Sequence, residues 1–264
     1  MPRLSSIRAT PRIAAGLLFA ALGPRAAAAE RVFVAAAANL APVLDPLNAE
    51  FARSHPDIIV TSEIGASGSL VAQIGNGAPY DVFLSADVDY PQTLIRAGQA
   101  QASSLVVFAV GKLVLWSTRP GLDLSSVESV VRSPSVERLA LANPRIAPYG
   151  RAAEEVLAKL GLTEAAKAKL VFGENVTQAA QYVSSGNADA GFVALSLVLS
   201  PQLPDRGRWL EVPAALYSPI EESGVLTWCG AANAAARQYL EFLASPAARQ
   251  VLARFGYGVP PVLR

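Results

Sequence analysis

The sequence predicts an α/β protein built as two lobes, and three observations carry that prediction. Short apolar strands alternate with helical segments of about 10–15 residues along most of the chain, the pattern of mostly parallel sheets flanked by helices. Two stretches, near Ser117–Gly121 and Ser218–Val225, interrupt the alternation and read as crossings between lobes. The same strand–turn–helix unit recurs at Asn39, Ser67, Tyr149 and Val176, two in each lobe. The expected division is residues 30–115 plus 225–264 for the first lobe and 116–224 for the second.

Composition sets the class. Of 264 residues, 52% are hydrophobic and 16% charged, which excludes a disordered chain and allows two medium domains. Residues 1–29 carry Arg3, Arg8 and Arg12, an apolar run from Ile13 to Leu22, and then Ala26–Ala29. This is the layout of a cleavable secretory signal peptide, with cleavage expected after Ala29. The apolar run has about ten residues, where a bilayer needs about 20, so the sequence predicts an exported protein. Cleavage would remove Arg3, Arg8, Arg12 and Arg25 and no acid, taking the net charge from +1 to −3. A mildly acidic surface argues against nucleic acid as partner. Cys229, the only cysteine, cannot form an internal disulfide and lies far from the cleavage point, so it offers no lipid anchor. Its neighbours Val225–Trp228 read as a buried strand, which makes it a small hydrophobe.

In chain order, Val32–Ala38 is a short strand, and Asn39 follows as a candidate N-cap. Leu40, Val43, Leu44, Leu47 and Phe51 fall at helical spacing; Pro42 suits a first turn, while Pro46 sits deeper and predicts a kink. Ile58–Ile64 is a β-branched strand. Gly65–Ser69 turns sharply, and Leu70, Val71 and Ile74 give the next segment a helical face. A strand before Asp87, a helix around Tyr90–Arg96 stopped by Gly98, and two apolar strands, 105–110 and 113–116, complete this half. The second half repeats the scheme: strand 139–142, helix 151–160 with Gly161 as its stop, strand 169–172, helix 177–184, strand 190–194. Helices over 231–244 and from Pro246 to Phe255 close the chain.

The four repeated turns carry the chemistry. A turn between a strand and a helix N-terminus leaves backbone N–H groups without an intrahelical acceptor, and these attract anions. Asn39 adds an amide, Ser67 a hydroxyl and Tyr149 a phenol; Val176 offers only main chain. Converging neutral donors from two lobes suit a small, fully ionised oxyanion. Each charge-assisted bond contributes about 1.5–3 kcal/mol. Six or seven would support about micromolar binding after ordering costs.

Ala36-Ala37-Ala38-Asn39-Leu40, Gly65-Ala66-Ser67-Gly68-Ser69-Leu70 and Gly77–Asp87 resemble periplasmic molybdate-binding proteins of ABC transporters. Gly111–Trp116 and Tyr239–Pro246 are similar to later segments of that family, so the resemblance spans essentially the whole chain after residue 29. It implies a two-lobed, type II periplasmic binding protein, monomeric, that closes on molybdate or tungstate and presents it to a membrane permease. It also implies a ligand set of Asn39, Ser67, Tyr149 and Val176, with Ala38 as a further candidate. The metal of the oxyanion would be held through its oxygens, with no cofactor and no direct metal ligand. Ala194 departs from the pattern, since some members carry a ligand tyrosine there. Neutral donors disfavour an anion that keeps a proton, such as phosphate at neutral pH; sulfate, also a dianion, has to be excluded by size.

Enzyme readings fit less well. A serine hydrolase needs a base beside Ser67, and the only histidine, His55, lies at the far end of the intervening strand, roughly 20 Å away. One His and one Cys, with no carboxylates at ligand spacing, make no metal box. No phosphate-binding glycine loop follows a strand. Asp81 and Asp87 bracket a strand and read as local caps. Receptors for another oxyanion such as sulfate, and an exported α/β hydrolytic enzyme, are the alternatives.

Overall fold

The computed structural model describes residues 30–203 and 205–260; the expected signal peptide lies outside them. The chain begins with β1 (Glu30–Ala37), a 3-10 turn (Ala38–Leu40), α1 (Ala41–Ala52), β2 (Ile58–Gly65), α2 (Ser67–Gly75), β3 (Val82–Ser85), α3 (Asp89–Arg96) and β4 (Val106–Gly111). Next come β5 (Leu113–Ser117), α4 (Val127–Arg132), β6 (Leu139–Ala142), α5 (Pro148–Lys159), α6 (Thr163–Lys167), β7 (Leu170–Gly173), α7 (Val176–Ser184), β8 (Ala190–Ala194), α8 (Leu195–Val198) and β9 (Arg208–Glu211). β10 (Ile220–Leu226), α9 (Ala234–Leu243) and α10 (Pro246–Arg254) end the described fold.

The strands form two five-stranded sheets, ordered β2-β1-β3-β10-β4 and β7-β6-β8-β5-β9. In each, four strands run the same way and one runs against them, as the expected mostly parallel sheets require. β1 pairs in parallel with β2 and β3, and β6 with β7 and β8, as right-handed strand–helix–strand connections require. β10 and β5 run antiparallel to their neighbours because they carry the chain back from, and out to, the other lobe. Sheet membership also moves the crossings. Leu113–Leu115, expected in the first lobe, pair with β8 and β9, so the first crossing is Lys112 alone. Ile220–Gly224, expected in the second, pair with β3 and β4, so the return falls at Tyr217–Pro219. The two crossings touch, the Leu113 N–H donating to the Tyr217 hydroxyl at 3.2 Å.

The first sheet is covered on both faces. Val32, Val34, Leu44, Phe51, Tyr239 and Leu252 pack on one side, so α9 and α10 complete this lobe; Leu70, Phe83 and Leu94 pack on the other. The second lobe has its own core, and Ala37, Ala38, Ala66 and Ala86 of the first lobe join that cluster. Alanines there bring the strand ends of one lobe close to the other. Other expectations need correction. β10 stops at Leu226, and Cys229 is exposed in a short 3-10 turn rather than buried in a strand. Asn39 sits inside a 3-10 turn instead of capping α1, and α5 starts at Pro148, drawing Tyr149 into its first turn. Among the described residues no helix is long and apolar enough to cross a membrane.

Candidate functional site

Four chain turns meet where the two lobes face each other. Two follow β1 and β2 of the first lobe, and two follow β6 and β7 of the second. Ser67 is the first residue of α2, Tyr149 the second of α5 and Val176 the first of α7. Their N–H groups therefore point out of the helix ends without an intrahelical acceptor. Asn39 lies in the 3-10 turn after β1. Asn39, Ser67, Tyr149, Val176 and Ala38, the residues singled out from sequence, all line one cavity. Ala37, Gly65, Ala66, Ala86, Ala147, Pro148 and Asn175 complete its wall, and none of these residues is charged. The cavity is small, about 10 Å³ for the centre of a water-sized sphere. Larger hollows lie elsewhere: the one between Gly121–Ser125 and Gly207–Trp209 is lined from the second lobe only, and one between Ala41, Pro42, Thr177, Ala180 and Leu197 is walled by both lobes but includes none of Asn39, Ser67, Tyr149 and Val176.

Local sequence explains each wall. Ser67 is buried, and its Oγ accepts from the Ala86 N–H at 3.3 Å, which leaves its own O–H to donate. Asn175 caps α7 by accepting from the Gln178 N–H at 3.0 Å, which frees the Val176 N–H. Gly150 allows α5 to start tightly against β6: a Cβ there would overlap the Ala142 carbonyl oxygen and sit 2.9 Å from its carbon. At Gly68 a Cβ would lie 2.6 Å from the Tyr90 hydroxyl and 3.0 Å from the Ile146 Cα, so this glycine lets the lobes approach.

The lobes are held closed over the cavity. The Gly68 N–H donates to the Ile146 carbonyl at 2.9 Å, Thr177 Oγ1 to that of Ala38 at 2.9 Å, and Ser196 Oγ to that of Asn39 at 2.7 Å. At the rim Arg151 of α5 pairs with Asp87 after β3 and stacks over the Tyr90 ring at 5.2 Å. Asp87 also accepts from the Tyr90 N–H at 3.0 Å and from Ser85 Oγ at 3.0 Å. The local-cap reading of Asp87 is thus incomplete, because the same carboxylate joins the lobes. Asp81 accepts from the Phe33 N–H at 2.8 Å. His55 stacks on Phe51 with ring centroids 4.3 Å apart.

Two expected side-chain donors point elsewhere. Asn39 gives its amide N–H groups to Glu222 Oε1 at 2.7 Å and to the Tyr257 hydroxyl at 3.0 Å. The Tyr149 hydroxyl lies against Gly111 and Glu222, where a Cβ on Gly111 would collide with it. Burial, with Glu222 adding, pushes the Tyr149 phenol well above its ordinary range. Asn39 and Tyr149 therefore face the cavity as turns, with their polar tips committed behind it. Of the expected side-chain donors only the Ser67 hydroxyl stays uncommitted at the cavity, beside the main-chain N–H groups of the helix ends. Sequence reasoning missed Glu222. Its signal was a carboxylate in an apolar strand, Ile220–Leu226, whose other members are mostly small or hydrophobic. Ala194, which stands where some members of the resembled family carry a ligand tyrosine, is buried at the end of β8 and pairs with Leu113, off the cavity wall.

Two mixed sheets joined by adjacent crossings, closing on a neutral pocket of helix N-termini, define a two-lobed solute-binding protein. Residues 32–258 match the family model of bacterial extracellular solute-binding proteins, and the chain belongs to that family, a class of transport components rather than of enzymes. It is 43% identical over 234 residues to the molybdate-binding protein ModA of Azotobacter vinelandii, covering 89% of this chain and 92% of that one. ModA of Rhodobacter capsulatus is 41% identical, covering 88% and 89%. The solved structure of the Azotobacter vinelandii periplasmic molybdate-binding protein superposes with a TM-score of 0.81 at 37% identity, covering 87% of this chain and 100% of that one. Among the described residues no cluster of His, Cys, Asp or Glu could hold a metal ion directly.

Proposed function

We propose that this protein captures molybdate or tungstate in the periplasm and delivers it, as a monomer, to the permease of an ABC transporter. The observation that carries the reading is an uncharged cavity ringed by turn and helix N-termini from both lobes. Such a wall stabilises a dianion through oriented N–H dipoles and repels no particular oxygen. Ser67 contributes its N–H and hydroxyl; Asn39, Tyr149 and Val176 contribute main-chain N–H groups, with Ala38 beside them. Molybdate is a ligand in this scheme, and its metal is held only through its oxygens. Names of relatives above 40% identity support the choice of anion.

Capture works by hinge closure. A cavity with room for about one water-sized sphere cannot admit a five-atom anion unless the lobes part. The anion then populates the closed form because only that form brings both lobes' donors to it. Isothermal titration calorimetry with molybdate, tungstate, sulfate and phosphate tests the reading. One-to-one binding of the first two at about micromolar affinity or better, with sulfate and phosphate silent, is the expected result. Tighter binding of sulfate would move the function to another oxyanion, and silence from all four would sink the proposal.

A further inference from the structure

Glu222 is wholly buried in β10 at the junction of the lobes. Its Oε1 accepts from Asn39 Nδ2, and the Tyr149 hydroxyl lies beside the carboxyl at Gly111. Tyr257 closes the cluster, donating from its hydroxyl to the Asn39 carbonyl at 2.8 Å. The carboxyl thus stands one residue behind the cavity, touching a lining residue from each lobe. Its Oε2 has no hydrogen-bond partner among the described residues, and no cation pairs with it there. The titratable groups facing it are Tyr149 from α5, Tyr257 after α10 and Asp87 after β3; Tyr217 lies beside Tyr149, and Arg151 is committed to Asp87. Burial is the largest influence on the carboxyl and Asp87 adds to it; together they outweigh the Asn39 and Tyr149 donors and push its acid up to about 8.

We propose that Glu222 is a positioning residue of the oxyanion site, which as a neutral carboxylic acid holds the Asn39 and Tyr149 turns in place and links anion capture to its proton. The inference rests on the oxyanion reading of the cavity. An ionised Glu222 would set a buried negative charge behind the two turns that face a dianion, with little water between to screen it. The dianion therefore binds the protonated form better, and binding where the carboxyl is ionised draws one proton from solvent onto it. By linkage, affinity is level below the carboxyl's own titration and falls with each pH unit above it.

The test is calorimetry of molybdate binding to the purified protein at pH 7, 8 and 9, each in two buffers of different ionisation enthalpy. For an acid titrating at about 8, affinity should drop about tenfold between pH 7 and pH 9, with proton uptake rising from almost none to about one. Glu222→Gln should bind with the same affinity at all three pH values and take up no proton. That variant keeps His55, Cys229 and the N-terminus, so a pH dependence surviving in it would place the titration elsewhere and overturn the inference. Flat wild-type affinity and no proton uptake, with molybdate bound, would overturn the inference and leave the receptor reading intact. No binding at any pH would remove the receptor reading and the inference with it. Where the variant fails to fold, the wild-type measurement still overturns the inference if affinity is flat and no proton is taken up.

Discussion

The two lobes share one plan and use it differently. In each, a central strand flanked by two parallel neighbours delivers one turn to the cavity, and an edge strand delivers the other: β1 and β2 in the first lobe, β6 and β7 in the second. Within the first lobe the turn after β2 has slack at Gly65, although Gly68 packs against Ile146 of the other lobe. A Cβ at Gly65 would meet only the Leu70 side chain, at 3.2 Å. The second lobe's turns are tight against backbone, with Ala142 facing Gly150 and the Ala179 nitrogen 2.7 Å from a Cβ at Gly173. Polarity divides the same way: the first lobe brings a hydroxyl at Ser67, whereas the second brings main chain and sends its phenol back across the junction to Glu222. The second lobe is a rigid mould. The first is where side-chain changes can tune the site.

The largest expected effect tests that rigidity. Gly150→Ala forces a methyl into the Ala142 carbonyl, and backbone has no rotamer with which to yield, so a loss of about 3 kcal/mol is expected. For a chain of this size that lowers Tm by about 6–12 °C. Gly65→Ala should cost under about 1 kcal/mol, because Leu70 can shift. Equal losses in thermal melts of the two variants would abolish the distinction.

Binding should show the same contrast between side-chain and main-chain donors. Ser67→Ala removes a hydroxyl donor and should weaken molybdate binding by about 1–3 kcal/mol, with a stability loss of about 1 kcal/mol because the Ala86 N–H loses its acceptor. Val176→Ala trims a buried side chain but keeps its N–H, so stability should fall by about 1–2 kcal/mol while affinity stays within about twofold. Val176→Pro is the sharper probe. Position 176 opens α7 and Asn175 before it is already extended, so proline fits there and deletes only the N–H. It should weaken binding about as much as Ser67→Ala. Unchanged affinity in Val176→Pro, read by calorimetry, would remove that residue from the site.

How far this was legible in the sequence depended on the range of the forces involved. Strands β1, β2, β6 and β7 are mostly apolar runs, and Asn39, Ser67, Tyr149 and Val176 stand where those runs meet turn residues, so local pattern suffices to locate the turns. β9 is an exposed edge strand, Arg208–Glu211, without apolar alternation, and it passes for loop. The short α4 is marked only by its capping box, Ser126 with Ser129. Lys112 hides the first crossing because apolar strands flank it on both sides. Where the Asn39 amide points was not legible at all. Glu222, 183 positions further along the chain, decides it, and no local pattern encodes that partner.

The smallest effect concerns the rim, where the lobes are joined by charge. Arg151 and Asp87 pair across the cleft, but the arginine side chain is 37% exposed, so solvent screening limits the pair to about 1 kcal/mol or less. Arg151 could aid capture in two ways: by latching the lobes, or by lending its positive charge to the nearby anion. The variants Arg151→Ala and Asp87→Asn separate these. If the pair acts as a latch, both changes weaken molybdate binding by similar amounts, and the double variant is no worse than either alone. If the charge acts on the anion, Asp87→Asn frees the guanidinium and tightens binding, while Arg151→Ala weakens it. The uncharged cavity wall and the commitment of Arg151 to Asp87 favour the latch. In calorimetry at low and high salt, the latch predicts losses of two- to fivefold, about 0.4–1 kcal/mol, that shrink as salt screens the pair. Tighter binding by Asp87→Asn would show instead that the first lobe's carboxylate restrains a cation the second lobe could otherwise offer.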